Sequence, residues 1–126
     1  MDKKMVYKCG KCGNLVESLW QGKITAKCCN QKMEKLALNS VDAAVEKHVP
    51  VIEREGNRVL VKVGENPHPM TPEHYILFLE VLAGDKVYRH DFKEGDTVAE
   101  ASFLIEEEEL EARAYCNLHG FWVSAK

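Results

Sequence analysis

The stretch "LEARAYCNLHGFWVSA", residues 110–125, reads as two strands joined by a tight turn. Leu110, Ala112, Ala114 and Cys116 fall on one face, the period of two that a strand with one buried side requires. The pattern breaks at Asn117 and resumes in "GFWVSA" after Gly120. At the break a thiol, Cys116, and an imidazole, His119, stand three residues apart. These are either core residues brought close by the turn or two ligands of one metal.

Upstream, the same strand signature recurs in "VPVIERE" (49–55), "NRVLVKV" (57–63), "YILFLEVL" (75–82), "KVYRHDF" (86–92) and "TVAEASFLI" (97–105). In 57–63, Val59, Val61 and Val63 alternate with Leu60 and Lys62. The turn-forming sequences "EGN", "GENPHP", "AGD" and "KEGD" separate the runs. Seven short strands at this spacing predict an antiparallel β-sandwich beginning near Ser40. Two short helical turns are expected beside it. Ser40 is placed to cap "VDAAVEK", and Thr71 to cap a turn with Pro72 at its first position.

Before Ser40 the chain changes character. Residues 1–37 hold Cys9, Cys12, Cys28 and Cys29 and few large apolar side chains. A segment this short cannot bury enough surface to order itself and needs a staple. "CGKCGN" has the spacing of a metal knuckle, in which two thiolates two residues apart reach one ion and the glycines turn N–H groups toward sulfur. "KCCN" is unusual, because neighbouring strand residues point to opposite faces and share an ion only across a local bend. Four thiolates suit zinc or a single iron, so the residues alone leave the metal open. The domain boundary is expected at 37/38, with a metal module over 1–37 and a sandwich over 38–126.

Composition narrows the setting. No apolar run reaches membrane-spanning length, and the opening "MDKKMVYKCG" lacks the apolar core of a signal peptide. A cytoplasmic location is expected, where the five cysteines stay reduced and point to metal or catalysis rather than disulfides. The net charge of −3 is unevenly divided: residues 1–37 carry eight Lys against three acids, and the remainder nine Lys/Arg against seventeen. Four thiolates on a divalent ion would reduce the first segment's excess by two, which argues against nucleic acid as a partner.

Five histidines remain. His48, His68, His74 and His119 sit where strands meet loops, and prolines flank His68 on both sides. Singly, each such His is more often a surface or satisfied core residue, although rigid loops suit fixed ligands. His90 lies within a strand run, alternating with Tyr88 and Phe92, and is read as structural.

Taken together, "EKHVPVIE" (46–53), "HPM" (68–70), "EHYI" (73–76) and "YCNLHG" (115–120) resemble the superoxide reductases. "YKCGKCGN" with "CCNQ" resembles the desulforedoxin module that precedes them in the desulfoferrodoxins, the two-iron members. The resemblance covers nearly the whole chain in order. It implies a rubredoxin/desulforedoxin-like module followed by an immunoglobulin-like sandwich, mainly β throughout. It also implies one iron on Cys9, Cys12, Cys28 and Cys29, and a second on four imidazoles in a plane (His48, His68, His74, His119) with the Cys116 thiolate on the axis. The implied activity is one-electron reduction of superoxide to hydrogen peroxide without oxygen release, an antioxidant function fed by a rubredoxin-type donor. Lys47 would face the open position and draw the anion in, and Glu46 would occupy that position after product leaves. Asn117 and the backbone near Leu118 would hydrogen-bond the Cys116 sulfur. A homodimer is implied as well. The readings set against this are a zinc-ribbon binding module, a pure electron carrier and a thiol redox protein using "CGKC".

Overall fold

The computed structural model describes residues 5–39, 48–64 and 68–124. The chain divides into two compact units, Met1–Ala37 and Leu38–Lys126. The first unit is built from β1 (Val6–Lys8), β2 (Leu15–Glu17), β3 (Lys27–Cys28), β4 (Gln31–Lys32) and β5 (Glu34–Lys35). β1 pairs with both β2 and β5, and β3 pairs with β4 as a separate hairpin. Tyr7, Cys9 and Met33 form a small buried cluster edged by Met5 and Cys28. So few buried side chains give a marginal unit without a further constraint.

The second unit holds β6 (Leu38–Asn39), β7 (Pro50–Glu55), β8 (Arg58–Val63), β9 (Ile76–Ala83), β10 (Lys86–Asp91), β11 (Glu100–Leu104), β12 (Glu111–Cys116) and β13 (Gly120–Val123). The seven strands expected from alternation all form. They assemble into a sheet in the order β10-β9-β12-β13-β6 and a second in the order β11-β8-β7. Val59, Val61 and Val63 of β8 meet Leu79, Val81 and Ala83 of β9 and Ala112, Ala114 and Cys116 of β12 in one core cluster. Each valine so buried contributes about 1.5–3 kcal/mol. The result is an immunoglobulin-like sandwich, antiparallel except where β6 runs parallel to β13 at the sheet edge. Two residues carry no alternation, so β6 had no signature in the sequence.

Register shifts between Tyr115 and Cys116: Tyr115 faces Phe78, but Cys116 faces Ile76. One extra residue in β9 makes a β-bulge, which reverses the facing of what precedes it. Ile76 therefore joins the core cluster alongside Leu79 and Val81. The outer face of this sheet carries a buried ion pair. Arg113 Nη2 donates to Glu80 Oε1 at 2.7 Å, and Arg89 reaches Glu80 Oε2 at 3.4 Å.

The described residues contain no helix. The turn expected after Thr71 begins correctly, with the His74 N–H on Thr71 Oγ1 at 3.1 Å, but Thr71 N–H also bonds the His74 carbonyl at 2.9 Å. That reciprocal pair closes the loop on itself, so the helix never propagates. The turn expected after Ser40 lies outside the described residues, as do Glu46 and Lys47. No helix among the described residues is long and apolar enough to cross a membrane.

Candidate metal centres

The first centre shows how adjacent cysteines come together. β3 and β4 are joined by two residues, Cys29 and Asn30, at φ 53° and 62°. Two successive left-handed residues define the type I′ hairpin turn, normally filled by Asn-Gly. Here it supplies the bend that "KCCN" needs. Opposite it, Cys9 N–H bonds the Asn14 carbonyl at 2.9 Å and Gly13 N–H bonds the Cys9 carbonyl at 3.0 Å, with Gly13 at φ 82°. The knuckle and hairpin bring Cys12 Sγ to 3.6 Å from Cys28 Sγ, and Cys28 Sγ to 4.0 Å from Cys29 Sγ. All four sulfurs lie within 4.8 Å of one another.

Thiols packed this closely do not ionise independently. Backbone N–H groups of Cys12 and then Lys11 draw the Cys9 pKa down to about 6, against the opposing effect of burial. Cys29 is pushed up to about 12 by its contacts with Cys12, Cys9 and Cys28, and Cys28 is raised by Cys12 and Cys9. One proton leaves readily and the later ones are held. A divalent ion that displaces them satisfies the whole group, and its retention weakens as pH falls.

The second centre is assembled from distant segments. His48 precedes β7, His68 and His74 lie on the loop before β9, and Cys116 and His119 flank the β12–β13 turn. That turn has three residues, Asn117–His119, with Cys116 paired to Gly120 at φ 91°. A left-handed residue closing a three-residue hairpin favours glycine, which explains Gly120. The four imidazoles form a closed circuit. Ring centroids are 4.8 Å apart for His48–His68, 4.7 Å for His68–His74, 5.0 Å for His74–His119 and 4.8 Å for His48–His119, with neighbouring planes 65–79° apart. The His48–His74 diagonal is longer, 6.3 Å, as a ring of four requires.

Ligand atoms of His48, His68, His74 and Cys116 all lie within 4.8 Å of one another. His119 Nδ1 joins them, 3.1 Å from His48 Nε2 and 3.8 Å from Cys116 Sγ. Cys116 is wholly buried in the sandwich core, whereas His119 is exposed, so the thiol approaches from the interior. His68 Nδ1 lies 2.7 Å from the Pro69 carbonyl, which fixes the ring with Nε2 turned inward. The Nε2 atoms of His68 and His74 are buried and accept no hydrogen bond. Inward-facing nitrogen lone pairs around a thiol fit a borderline metal ion. His90 stands apart on β10, its ring 4.7 Å from Phe92.

Met70 and Trp122 are supporting residues that the sequence reading did not single out, and Asn117, already named there, makes contacts not foreseen for it. Asn117 is committed to the His74 loop: its Oδ1 accepts from Tyr75 N–H at 2.9 Å and its Nδ2 donates to the Glu73 carbonyl at 3.0 Å. It thereby ties two ligand-bearing loops together. Met70 Sδ accepts from Ile76 N–H at 3.3 Å and packs on the core, anchoring the loop's other end. Trp122 lies against His48.

The family described as desulfoferrodoxin matches residues 40–125, and the desulfoferrodoxin N-terminal domain matches residues 1–36. A desulfoferrodoxin from Desulfarculus baarsii is 50% identical over 121 residues, covering 96% of this chain and 95% of the relative. A desulfoferrodoxin homolog from Archaeoglobus fulgidus is 48% identical over 119 residues, 94% of each chain. The crystal structure of the superoxide reductase from Treponema pallidum superposes with a TM-score of 0.81 at 27% identity, covering 98% of both chains. With matches spanning both units and the two ligand groups in place, the chain belongs to the desulfoferrodoxin family.

Proposed function

We propose that the protein is a superoxide reductase, converting superoxide, one electron and two protons to hydrogen peroxide without releasing oxygen. The observation that carries this reading is the circuit of four imidazoles around the buried Cys116 thiol. In this reading residues 1–37 are a desulforedoxin-like module holding iron on Cys9, Cys12, Cys28 and Cys29. Residues 38–126 are the reductase domain, holding the second iron on His48, His68, His74, His119 and Cys116.

Iron held by the second group would supply one-electron chemistry toward a small anion. The protein's residues set the conditions. Four neutral imidazoles and one thiolate leave a divalent ion with a net positive charge, which favours an anionic substrate. The Cys116 thiolate, buried at the end of β12, directs electron density outward from the core. The Pro69 carbonyl holds His68 in the tautomer that presents Nε2. Lys47, adjacent in sequence to His48, brings an ammonium to draw superoxide inward and to organise water for proton delivery. Glu46, two residues before His48, would offer a carboxylate to the same centre when iron is held there.

The electron comes from a small one-electron carrier of the rubredoxin type, and the module of residues 1–37 either relays it or serves only as structure. A cytoplasmic location accords with five free thiols. The protein acts as a homodimer. Leu19, Trp20 and Ile24 are large apolar side chains left exposed on the first unit (78%, 91% and 80%), available to a second copy. Trp20→Asp is expected to shift the sedimentation of a dimer toward monomer.

The central experiment is metal analysis with a visible spectrum, taken before and after superoxide is added to reduced protein. Two irons per chain, a thiolate-to-iron band that appears on addition, and peroxide without oxygen are the expected results. Zinc with no visible band would favour a binding module, and iron at the four cysteines alone an electron carrier.

A further inference from the structure

The indole of Trp122 bridges two of the ligand-bearing segments. Its ring stacks on the His48 imidazole, centroids 4.8 Å apart and planes 17° apart. Its Nε1–H donates to the His119 carbonyl at 3.1 Å. On β13 its neighbours Phe121 and Val123 are buried, while Trp122 is half-exposed on the alternate face. It is absent from the core cluster of the sandwich. Trp122 pairs with Ala114, so its indole lies on the face of the sheet that carries the core, and there it meets His48 and the turn that holds His119.

We propose that Trp122 is a positioning residue for the second metal centre: its face fixes the plane of His48, and its N–H fixes the turn that presents His119. This rests on the reading of that centre as a metal site. The two contacts are complementary. His48 and His119 are neighbours in the circuit, with ring nitrogens 3.1 Å apart, yet they come from opposite ends of the unit. Strand pairing of β13 with β12 fixes the Trp122 backbone, so the indole transmits the sheet's rigidity to a side chain that enters from before β7. Aromatic stacking and a hydrogen bond restrain ring rotation and turn orientation, the two freedoms that would let an imidazole nitrogen leave a metal.

The test compares the iron-loaded full-length chain with its Trp122→Phe and Trp122→Leu variants. Three quantities are followed: release of the second iron to a chelator, the energy of its thiolate-to-iron band, and the thermal midpoint. Trp122→Leu is expected to release iron about 10–100-fold faster and to shift the band, as loss of outer contacts to ligands does. Trp122→Phe keeps a ring against His48 and loses only the donor, so its release rate should fall between the other two. It also serves as the measurable variant should Trp122→Leu fail to fold. Release and band unchanged in both variants would overturn the proposal. Equal effects of Phe and Leu would remove the stacking half of it. A lowered thermal midpoint with unaltered band and release would reduce Trp122 to packing. A parent chain that holds iron only at the four cysteines would instead overturn the reading of the centre itself, and this proposal with it.

Discussion

The two candidate centres are built on opposite principles. The four sulfurs of the first come from residues 9 to 29, delivered by a knuckle and a two-residue hairpin on a unit with a small buried cluster. The five donors of the second come from three separated segments, each anchored to a sandwich whose core cluster takes in Cys116 but none of the four histidines. In the first, the ligands organise the fold. In the second, the fold organises the ligands. A metal ion therefore contributes to folding free energy at the first centre and to chemistry at the second.

The most disruptive way to break this contrast is to remove the first metal. Cys12→Ser, or stripping by a chelator, is expected to unfold residues 1–37, since structural metals in small units contribute on the order of 10 kcal/mol. Hydrogen exchange should show lost protection in β1–β5 and unchanged protection in β8, β9 and β12. Equal loss in both units would erase the distinction. Cys116→Ser tests the other side. It should abolish the thiolate-to-iron band of the second centre and most activity, while a buried hydroxyl lowers sandwich stability by only about 1–3 kcal/mol. Full activity in this variant would remove Cys116 from the ligand set. Asn117→Ala cuts the tie between the two ligand loops. A loss of about 1–2 kcal/mol in denaturant unfolding is expected from two hydrogen bonds, with faster iron release at the second centre only. Lys47→Ala should have the mildest effect, slowing the second-order reaction with superoxide and flattening its dependence on ionic strength, with both units equally stable. An unchanged rate would remove Lys47 from the mechanism.

The contrast also explains what the sequence revealed. Strands β7 through β13 were legible as short apolar or alternating runs between turn residues: β8 buries one face and alternates, whereas β9 is buried on both faces and reads as a nearly continuous apolar run. The hairpin at Cys28–Cys29 was anticipated as a bend because two neighbouring thiols cannot otherwise share an ion. Its left-handed form, carried by Cys29 and Asn30 rather than glycine, was not legible, since neither residue is diagnostic of positive φ. The bulge facing Cys116 also left no mark: it is a property of how two distant strands register. The histidines illustrate the same limit. Each alone is ambiguous, and only family resemblance grouped them, because the sandwich that gathers them is not encoded near any one of them. Trp122 carries a local signal of its own, an aromatic three residues beyond His119 in the same strand phase as Gly120, the cross-strand partner of Cys116.

Because the second centre draws its last two donors from the β12–β13 turn, the order of synthesis matters. Chains are made from the N-terminus, and all four cysteines of the first group emerge within a short interval, so that group is complete before any sandwich strand exists. The second group is complete only when β12 has paired with β9 and the turn carrying Cys116 and His119 has closed. Long-range pairing of this kind is a late event in folding. Maturation thus has a built-in sequence: the first metal can be acquired on the ribosome, and the reactive one only by a finished sandwich. A partly folded chain is kept from carrying a redox-active iron in an open site.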